Sequence, residues 1–380
     1  MRKEPLDWAN ILFLSATPLV AVIGTVWYVR LHGIMWLEIV NFAAMFLLTG
    51  MAVTGGYHRY YTHKSYEAAK PLQLFYLIFG AAAVENSVLN WASDHRYHHQ
   101  FVDQEEDPYN ILRGGFYAHI GWIFRKNTRA LHARYRNVPD LLKDPLVRWQ
   151  DRWYLFLVVA VAFGLPTLIG LIAGRPMGGL LWAGFLRVVV VHHMTFLINS
   201  VAHLYGSRPY TMNNSARDNW WLGPLTFGEG YHNFHHAFPA DHRNGIRWYQ
   251  FDLTKWWLKA MNWFGLAHSL RETPELLIVM ARVNSDIKNL EQKFARSGMS
   301  GDFWNMLRHQ LEIGRQRMRE AIHQYHARRA EYLRDKDAWP SDVRRLWDIK
   351  VAQAKDELQE SRKLWQGMLR ATHSISQTSI

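Results

Sequence analysis

The 380-residue sequence contains no cysteine. That absence excludes disulfides, thiolate zinc sites and cysteine-ligated iron–sulfur clusters. No haem- or flavin-binding module is evident either, so any electrons used in chemistry come from a separate redox protein. No nucleic-acid motif accompanies the net charge of +12, and nucleic acid is not an expected partner. A basic balance of this kind fits an anionic membrane face and polyphosphate ligands. Before about residue 280 long charged stretches are missing and apolar runs dominate; the last hundred or so residues are charged and polar. Aromatic residues are abundant, with 18 Trp, 17 Tyr and 19 Phe, as suits a chain whose amphipathic rings sit at a headgroup layer.

Four apolar runs, at about 10–29, 34–54, 153–173 and 178–199, are each long enough to cross a bilayer, since ~20 helical residues rise about 30 Å. MRKEPLDW leads into a full-length run with no small-residue cleavage pattern after it, which reads as a span and not as a signal peptide. The runs pair as two hairpins with tight connections at 30–33 and 174–177. Nearly all Lys and Arg lie in the other segments, which places both termini and the long middle segment in the cytoplasm. His58 then falls one turn past the second run and His203 one turn past the fourth, on the same side. A fifth apolar stretch, 71–84, is short for a span and reads as an interfacial or re-entrant helix. The expected organisation is a first transmembrane hairpin (1–57), a cytosolic segment (58–152), a second hairpin (153–203), another cytosolic segment (204–272) and a helical extension (273–380). The fold class is an all-α membrane protein, four transmembrane helices capped by a cytosolic helical domain.

Three histidine clusters carry the chemistry. HRYYTH holds His58 and His63, HRYHH holds His95, His98 and His99, and HNFHH holds His232, His235 and His236. Neutral imidazole is the commonest metal ligand. In HxxHH the residues at i, i+3 and i+4 share a helical face, so three nitrogens can converge on one spot. In HX4H the two residues sit ~140° apart on a helix, and that pair needs a helix end or a bend. Eight histidines are too many for one metal, so two metals close together with histidine-rich ligation are expected. Asp94, Asp107, Glu229 and Asp241 flank the clusters as candidate hydrogen-bond acceptors for the second ring nitrogens. Gly228 and Gly230 permit close backbone approach beside the third cluster.

Other residues take plainer readings. His119 anchors a local bond. His192, His193 and Arg187 lie within the fourth run. The two histidines fit interhelical or cavity-side bonding, and the arginine snorkels or pairs within the bundle. After Thr273-Pro274-Glu275, a helix-start pattern, Phe303, Leu307, Leu311, Met318, Ile322 and Tyr325 recur at helical spacing. With a break at Pro340-Ser341-Asp342, they predict two or three amphipathic helices packed as ordinary core.

Taken together the motifs resemble the membrane fatty-acid desaturases, in particular the acyl-CoA Δ9 (stearoyl-CoA type) branch. GEGYHNFHHAFPADHR at 228–243, NSVAHLYGSRPY at 199–210 and WASDHRYHHQFVDQEEDPYN at 91–110 carry the resemblance, which runs from about residue 34 to 258. It implies a di-iron centre held by the eight clustered histidines together with His203, and by Asn199 through water. It implies a long-chain saturated acyl-CoA whose head group meets Arg125 and Lys126, which follow His119-Ile120-Gly121-Trp122, with Asn86 and Trp91 near the substrate entrance. It implies O2 as oxidant, a cis double bond at Δ9, a separate electron-transfer protein with its reductase, and a cytoplasmic active site on a multi-pass membrane protein. No catalytic side chain is expected beyond the metal centre. One departure weakens the head-group contact: Ser93 stands where relatives carry an arginine. A desaturase of lipid-linked acyl chains, or a related di-iron membrane hydroxylase, therefore stays open. A metal transporter is disfavoured because the histidines lie beyond the span ends and not along a midplane path.

Overall fold

Among the described residues, four helices are long and apolar enough to cross a membrane: Trp8–His32, Trp36–Thr62, Tyr154–Ile172 and Pro176–Leu204. The computed structural model describes residues 4–126, 135–297 and 301–378. Two of these helices run on past the apolar stretches expected from sequence. His58 and His203 therefore lie inside the second and fourth helices and not beyond their ends. The polar extensions stay helical because protein, rather than lipid, surrounds them: Tyr57, His58, Ala202 and His203 are all buried.

The two hairpin tips are tied together by Arg175. Its guanidinium donates to the carbonyls of His32 and Gly33 at 3.1 and 2.8 Å and pairs with Glu38 at 3.0 Å. Deeper in the bundle Arg187 is fully buried. It does not snorkel. It donates to the carbonyls of Ala162 and Ala183 at 3.0 Å each, and to that of Ala82. Pro166 has no N–H for the Ala162 carbonyl four residues back, and the arginine supplies one. His192, one helix face along, donates to the Ala83 carbonyl at 2.8 Å, an interhelical bond as expected.

The stretch at 71–84 forms the 12-residue helix Lys70–Ala81, too short to cross a bilayer. It is a packing element: Leu72, Tyr76 and Leu77 enter a core with Tyr57, Tyr61, Leu89 and Leu258. The helices Val88–Phe101, Pro145–Arg152, His232–Ala237 and Leu253–Trp263 complete the polar half of this unit. One antiparallel pair, Glu67–Ala68 with Ala267–His268, is the only sheet among the described residues.

The chain divides into two compact units, Met1–Arg208 with Asn213–Glu272, and Pro209–Met212 with Thr273–Ile380. Among its described residues the second contains three helices, Glu275–Ser297, Gly301–Asp335 and Ser341–Thr378. Leu311, Met318 and Ile322 of the sequence stripe are buried in its core beside Val283, Leu290 and Leu358, with Leu307 and Tyr325 partly buried against them. The Phe303 side chain lies outside the described ones.

Candidate metal centre

Nine imidazoles gather in two adjacent groups. His58, His63, His95, His99 and His235 form one; His98, His203, His232 and His236 form the other. Within each group the ligand-capable atoms lie within 4.8 Å of one another. The rings of His99 and His236, one from each group, have centroids 4.3 Å apart.

The local backbone explains the sorting, and it corrects the sequence reading of HxxHH. Those three nitrogens do not converge on one spot. At ~100° per residue the i+3 and i+4 side chains point about 100° apart. The i, i+4 pair therefore goes to one group and i+3 to the other. His95 and His99 join the five-imidazole group while His98 joins the four; His232 and His236 join the four while His235 joins the five. HX4H converges for a different reason. The segment Ala52–Thr62 is a wide-turn π-helix, in which the His63 N–H bonds the His58 carbonyl five residues back at 3.1 Å. That i→i+5 period brings both rings to one side.

Each group is fixed from outside through the remaining ring nitrogens. His98 Nδ1 lies 2.9 Å from Asp107 Oδ1 and His58 Nδ1 lies 2.9 Å from Glu229 Oε2, two of the four carboxylates singled out in the sequence. Asp241 instead pairs with Arg243 at 2.9 and 3.0 Å, and Asp94 lies on a cavity wall. Sequence reasoning missed Tyr109, whose hydroxyl is 2.8 Å from His95 Nδ1. It also missed Ser215, 2.7 Å from His203 Nδ1 and bonded in turn to Asp103. Tyr109 lies at the end of the 91–110 motif and Ser215 twelve residues after His203, and no spacing rule points to either. Gly228 and Gly230 behave as expected: Gly228 has φ +112°, and a Cβ there would strike Asp252, while one at Gly230 would strike Gly223 and Asn219.

Burial, aided by repulsion among neighbouring rings, holds His63, His95, His99, His232, His235 and His236 well below the usual imidazole pKa, so these rings are neutral. Glu229 stays ionised, lowered to about 2; burial opposes this, and the Arg59 guanidinium together with the adjacent His58 ring outweighs it.

The protonation count then tests whether a cation fits. His98 and His203 spend their Nδ1 protons on Asp107 and on Ser215, whose own proton goes to Asp103. Their Nε2 atoms are therefore bare lone pairs. Nε2 atoms meet in series: His98 to His236 at 3.2 Å, His236 to His232 at 3.0 Å, and His232 to His203 at 3.1 Å. Three contacts share at most two protons, so hydrogen bonding cannot satisfy them all. In the five-imidazole group Nε2 of His58 and of His99 meet that of His235 at 3.0 and 2.9 Å, and the buried Nε2 atoms of His63 and His95 have no partner. Convergent lone pairs of this kind fit a metal ion in each group. At metal–nitrogen distances of ~2.1 Å, cis ligands would stand ~3.0 Å apart, close to the spacings found.

A cavity of about 820 Å³ reaches the metal groups at His58, His95 and His232, within the size range of small-molecule sites. Phe13, Leu14, Val53, Val158 and Phe196 give it an apolar wall, and exposed Arg125 and Lys126 also line it. Asn86, Trp91 and Asn199 lie on the same wall. His119 and His193 join neither group. They pair with one another at 3.1 Å, and His119 Nδ1 reaches Ser200 at 3.0 Å; the His119 bond is long-range, not local.

Residues 35–267 match the sequence model of the fatty acid desaturase family. The chain belongs to that family. It is 40% identical over 297 residues to acyl-CoA desaturase 1 of Saccharomyces cerevisiae, covering 77% of this chain and 57% of that protein. It is 40% identical over 289 residues to a probable acyl-CoA desaturase of Schizosaccharomyces pombe, covering 76% of this chain and 59% of the relative. Against human stearoyl-CoA desaturase 5 the identity is 34% over 286 residues, covering 73% and 84%. The chain thus spans less than two thirds of the length of the two yeast relatives. The family match covers both imidazole groups and the cavity residues from Val53 to His232; the helices after Thr273 lie outside it.

Among the desaturase residues expected at the head group, Arg125 and Lys126 are held by the chain's own beginning. The Lys126 N–H donates to the Pro5 carbonyl and the Asp7 N–H to the Phe124 carbonyl, both at 2.9 Å. Ser93 bonds Asn137 at 2.8 Å. Glu85 was not foreseen. It lines the cavity between Val84 and Asn86, two residues with positive φ. Its carboxyl accepts from Thr195 at 2.8 Å and from the Trp91 indole at 3.2 Å. Burial raises it to about 7, against the two hydrogen bonds.

Proposed function

We propose that this chain is an O2-dependent di-iron desaturase that places a cis double bond at the Δ9 position of a long-chain saturated acyl-CoA. The observation that carries the reading is the apolar cavity ending on two adjacent all-imidazole groups, in a member of the fatty acid desaturase family. The nine histidines would hold two iron ions, with Asn199 contributing through water. Iron supplies the oxidising power that removal of hydrogen from an unactivated methylene demands. The reaction balances as one –CH2–CH2– unit, O2, two electrons and two protons giving –CH=CH– and two waters.

The chain's own residues bind, orient and protect. The cavity wall holds the acyl chain away from bulk water and fixes which methylenes lie beside the imidazoles. Arg125 and Lys126, exposed on that wall, receive the phosphates of the CoA head group. Asp107, Tyr109 and Ser215 hold their rings through hydrogen bonds, and Glu229 orients His58 by its charge. A separate carrier and its reductase would supply the two electrons. The net charge of +12 favours an acidic carrier. Lys and Arg outside the hairpin tips set both termini and the metal centre on the cytoplasmic side of a multi-pass membrane protein.

The test is the fatty-acid profile of a host lacking its own desaturase. Expression should yield Δ9-unsaturated methyl esters by gas chromatography, and purified protein with acyl-CoA, carrier, reductase and O2 should give the same product. Hydroxylated chains in place of unsaturated ones would assign the hydroxylase reaction. Unsaturation made only on glycerolipids would move the substrate to a lipid-linked chain, consistent with Ser93 at the head-group site.

A further inference from the structure

The residue that follows His58 is Arg59, and its surroundings set the five-imidazole group apart. Arg59 is 1% exposed, yet every one of its five N–H donors has an acceptor. Nε donates to Glu229 Oε1 at 3.2 Å, and Nη2 to Glu229 Oε1 at 2.9 Å and Asp252 Oδ1 at 3.0 Å. Nη1 donates to the His242 carbonyl at 2.6 Å and Asp252 Oδ2 at 3.3 Å. Glu229 is equally occupied. Its Oε2 receives Asn244 Nδ2 at 2.6 Å and faces His58 Nδ1. Asp252 is fixed by the backbone N–H groups of Asn244, Gly245 and Lys255 at 2.8, 3.0 and 2.8 Å.

The four-imidazole group has no such clamp. Asp107, behind His98, accepts from the backbone N–H groups of Asp103 and Tyr109 at 3.1 and 3.2 Å, all within one short loop. Ser215, behind His203, is held by Asp103 of the same loop. That group is thus held by one loop and by the Asp103–Ser215 bond, which spans 112 positions. The other is set by a buried ion triad joining residues 170 and 193 positions apart.

We infer that Arg59 and Asp252 are positioning residues that act through Glu229 on His58, so that the metal of the five-imidazole group can be loosened on its own. A buried guanidinium fork makes Glu229 rigid as well as charged. A rigid carboxylate 2.9 Å from His58 Nδ1 holds that ring by charge, with its Nε2 turned toward His235. Loss of such an outer partner costs ~10–100-fold in metal affinity. The inference rests on the two-metal reading above.

The experiment is metal retention by the full-length protein in detergent, loaded with ⁵⁷Fe(II) and challenged with a chelator, followed by iron analysis and Mössbauer spectroscopy. Wild type should hold about two irons per chain. Glu229→Gln should release one of them at least ~10-fold more readily, with one iron signal lost and the other unchanged. Asp252→Asn, which leaves the His58–Glu229 contact in place, should weaken the same iron to a smaller degree. Retention of both irons with wild-type affinity in both variants overturns the inference. So does parallel loss of both irons from folded protein, or failure of both variants to fold, since either assigns the triad to folding rather than to one site. Failure of wild type itself to bind two irons would instead overturn the two-metal reading.

Discussion

The two compact units of this protein both have apolar cores but differ in the polar groups they bury. The unit after Thr273 has a core of Val283, Leu290, Leu311, Met318, Ile322 and Leu358, the pattern expected of amphipathic helices packed for stability. The larger unit buries Arg59, Glu229, Asp252, Asp107 and the imidazole groups. Buried ion pairs are at best near neutral for stability, because desolvation offsets their attraction. Stability alone therefore does not account for the larger unit's interior. A site that must present lone pairs in fixed directions accounts for Asp107 and for the Arg59, Glu229 and Asp252 triad, which end on ring nitrogens or on a group that faces one, whereas buried Arg187 serves backbone carbonyls of the bundle.

The comparison is broken most directly at the rings. His98→Ala and His235→Ala each remove one ligand, from different groups. Turnover should fall below ~1% of wild type in both, and each should lose about one iron per chain rather than two. Iron analysis beside product formation checks this. Retention of more than a few per cent activity would remove that histidine from the ligand set, and loss of both irons from either variant would show that the two groups act as one.

A smaller effect is expected at the cavity's exposed cations. Arg125→Ala with Lys126→Ala should raise the acyl-CoA KM about tenfold and change kcat much less, because the head group is bound alike in ground and transition states. The difference should shrink with added salt, as exposed charges are screened. An unchanged KM would argue that no polyphosphate head group binds there.

Glu85 sharpens the contrast through stability. Its carboxyl titrates near 7 in the folded chain against 4.5 for the free group. A raised carboxyl binds its proton more tightly folded than unfolded. Folding therefore carries no penalty from it below about pH 4.5, gains one as pH rises through that window, and carries it fully above about 7. Wild type and Glu85→Gln should melt alike near pH 4, while the Gln variant should be more stable by roughly 2 kcal/mol at pH 8, allowing for the cavity-facing part of the carboxyl. Equal melting at both pH values would mean that Glu85 titrates normally.

How much of this was legible in sequence follows the range of each interaction. The apolar runs and histidine boxes are local patterns, and the four spans and most of the imidazoles followed from them. The wide turn at Ala52–Thr62 supplied the bend that HX4H required, and a bend of some kind was foreseen from rotation per residue. The split of each HxxHH was not, because treating i+3 and i+4 as one face hides their divergence of about 100°. Tyr109, Ser215 and the Arg59 triad escaped notice for another reason. The Arg59 triad is set by chain crossings of 170 and 193 residues, which no window on the sequence contains, while Tyr109 and Ser215 lie 14 and 12 residues from their histidines across turns that no periodic spacing describes.

The weakest effect on turnover should come from the second unit. Leu311 is fully buried there, and Leu311→Ala removes core volume that its three helices cannot wholly refill, at a cost of ~2–5 kcal/mol. If its core serves packing alone, the loss stays within that unit. Calorimetry should show its transition moved to lower temperature, and acyl-CoA desaturation below that transition should remain within about twofold of wild type. The same logic extends to removal of residues 273–380: iron content and KM should stay at their full-length values. A fall in turnover at temperatures where only the second unit has melted would show that this apolar unit takes part in the reaction, for instance by receiving the electron carrier. The division between a unit packed for stability and a unit packed around a site would then fail at the point where it is most easily measured.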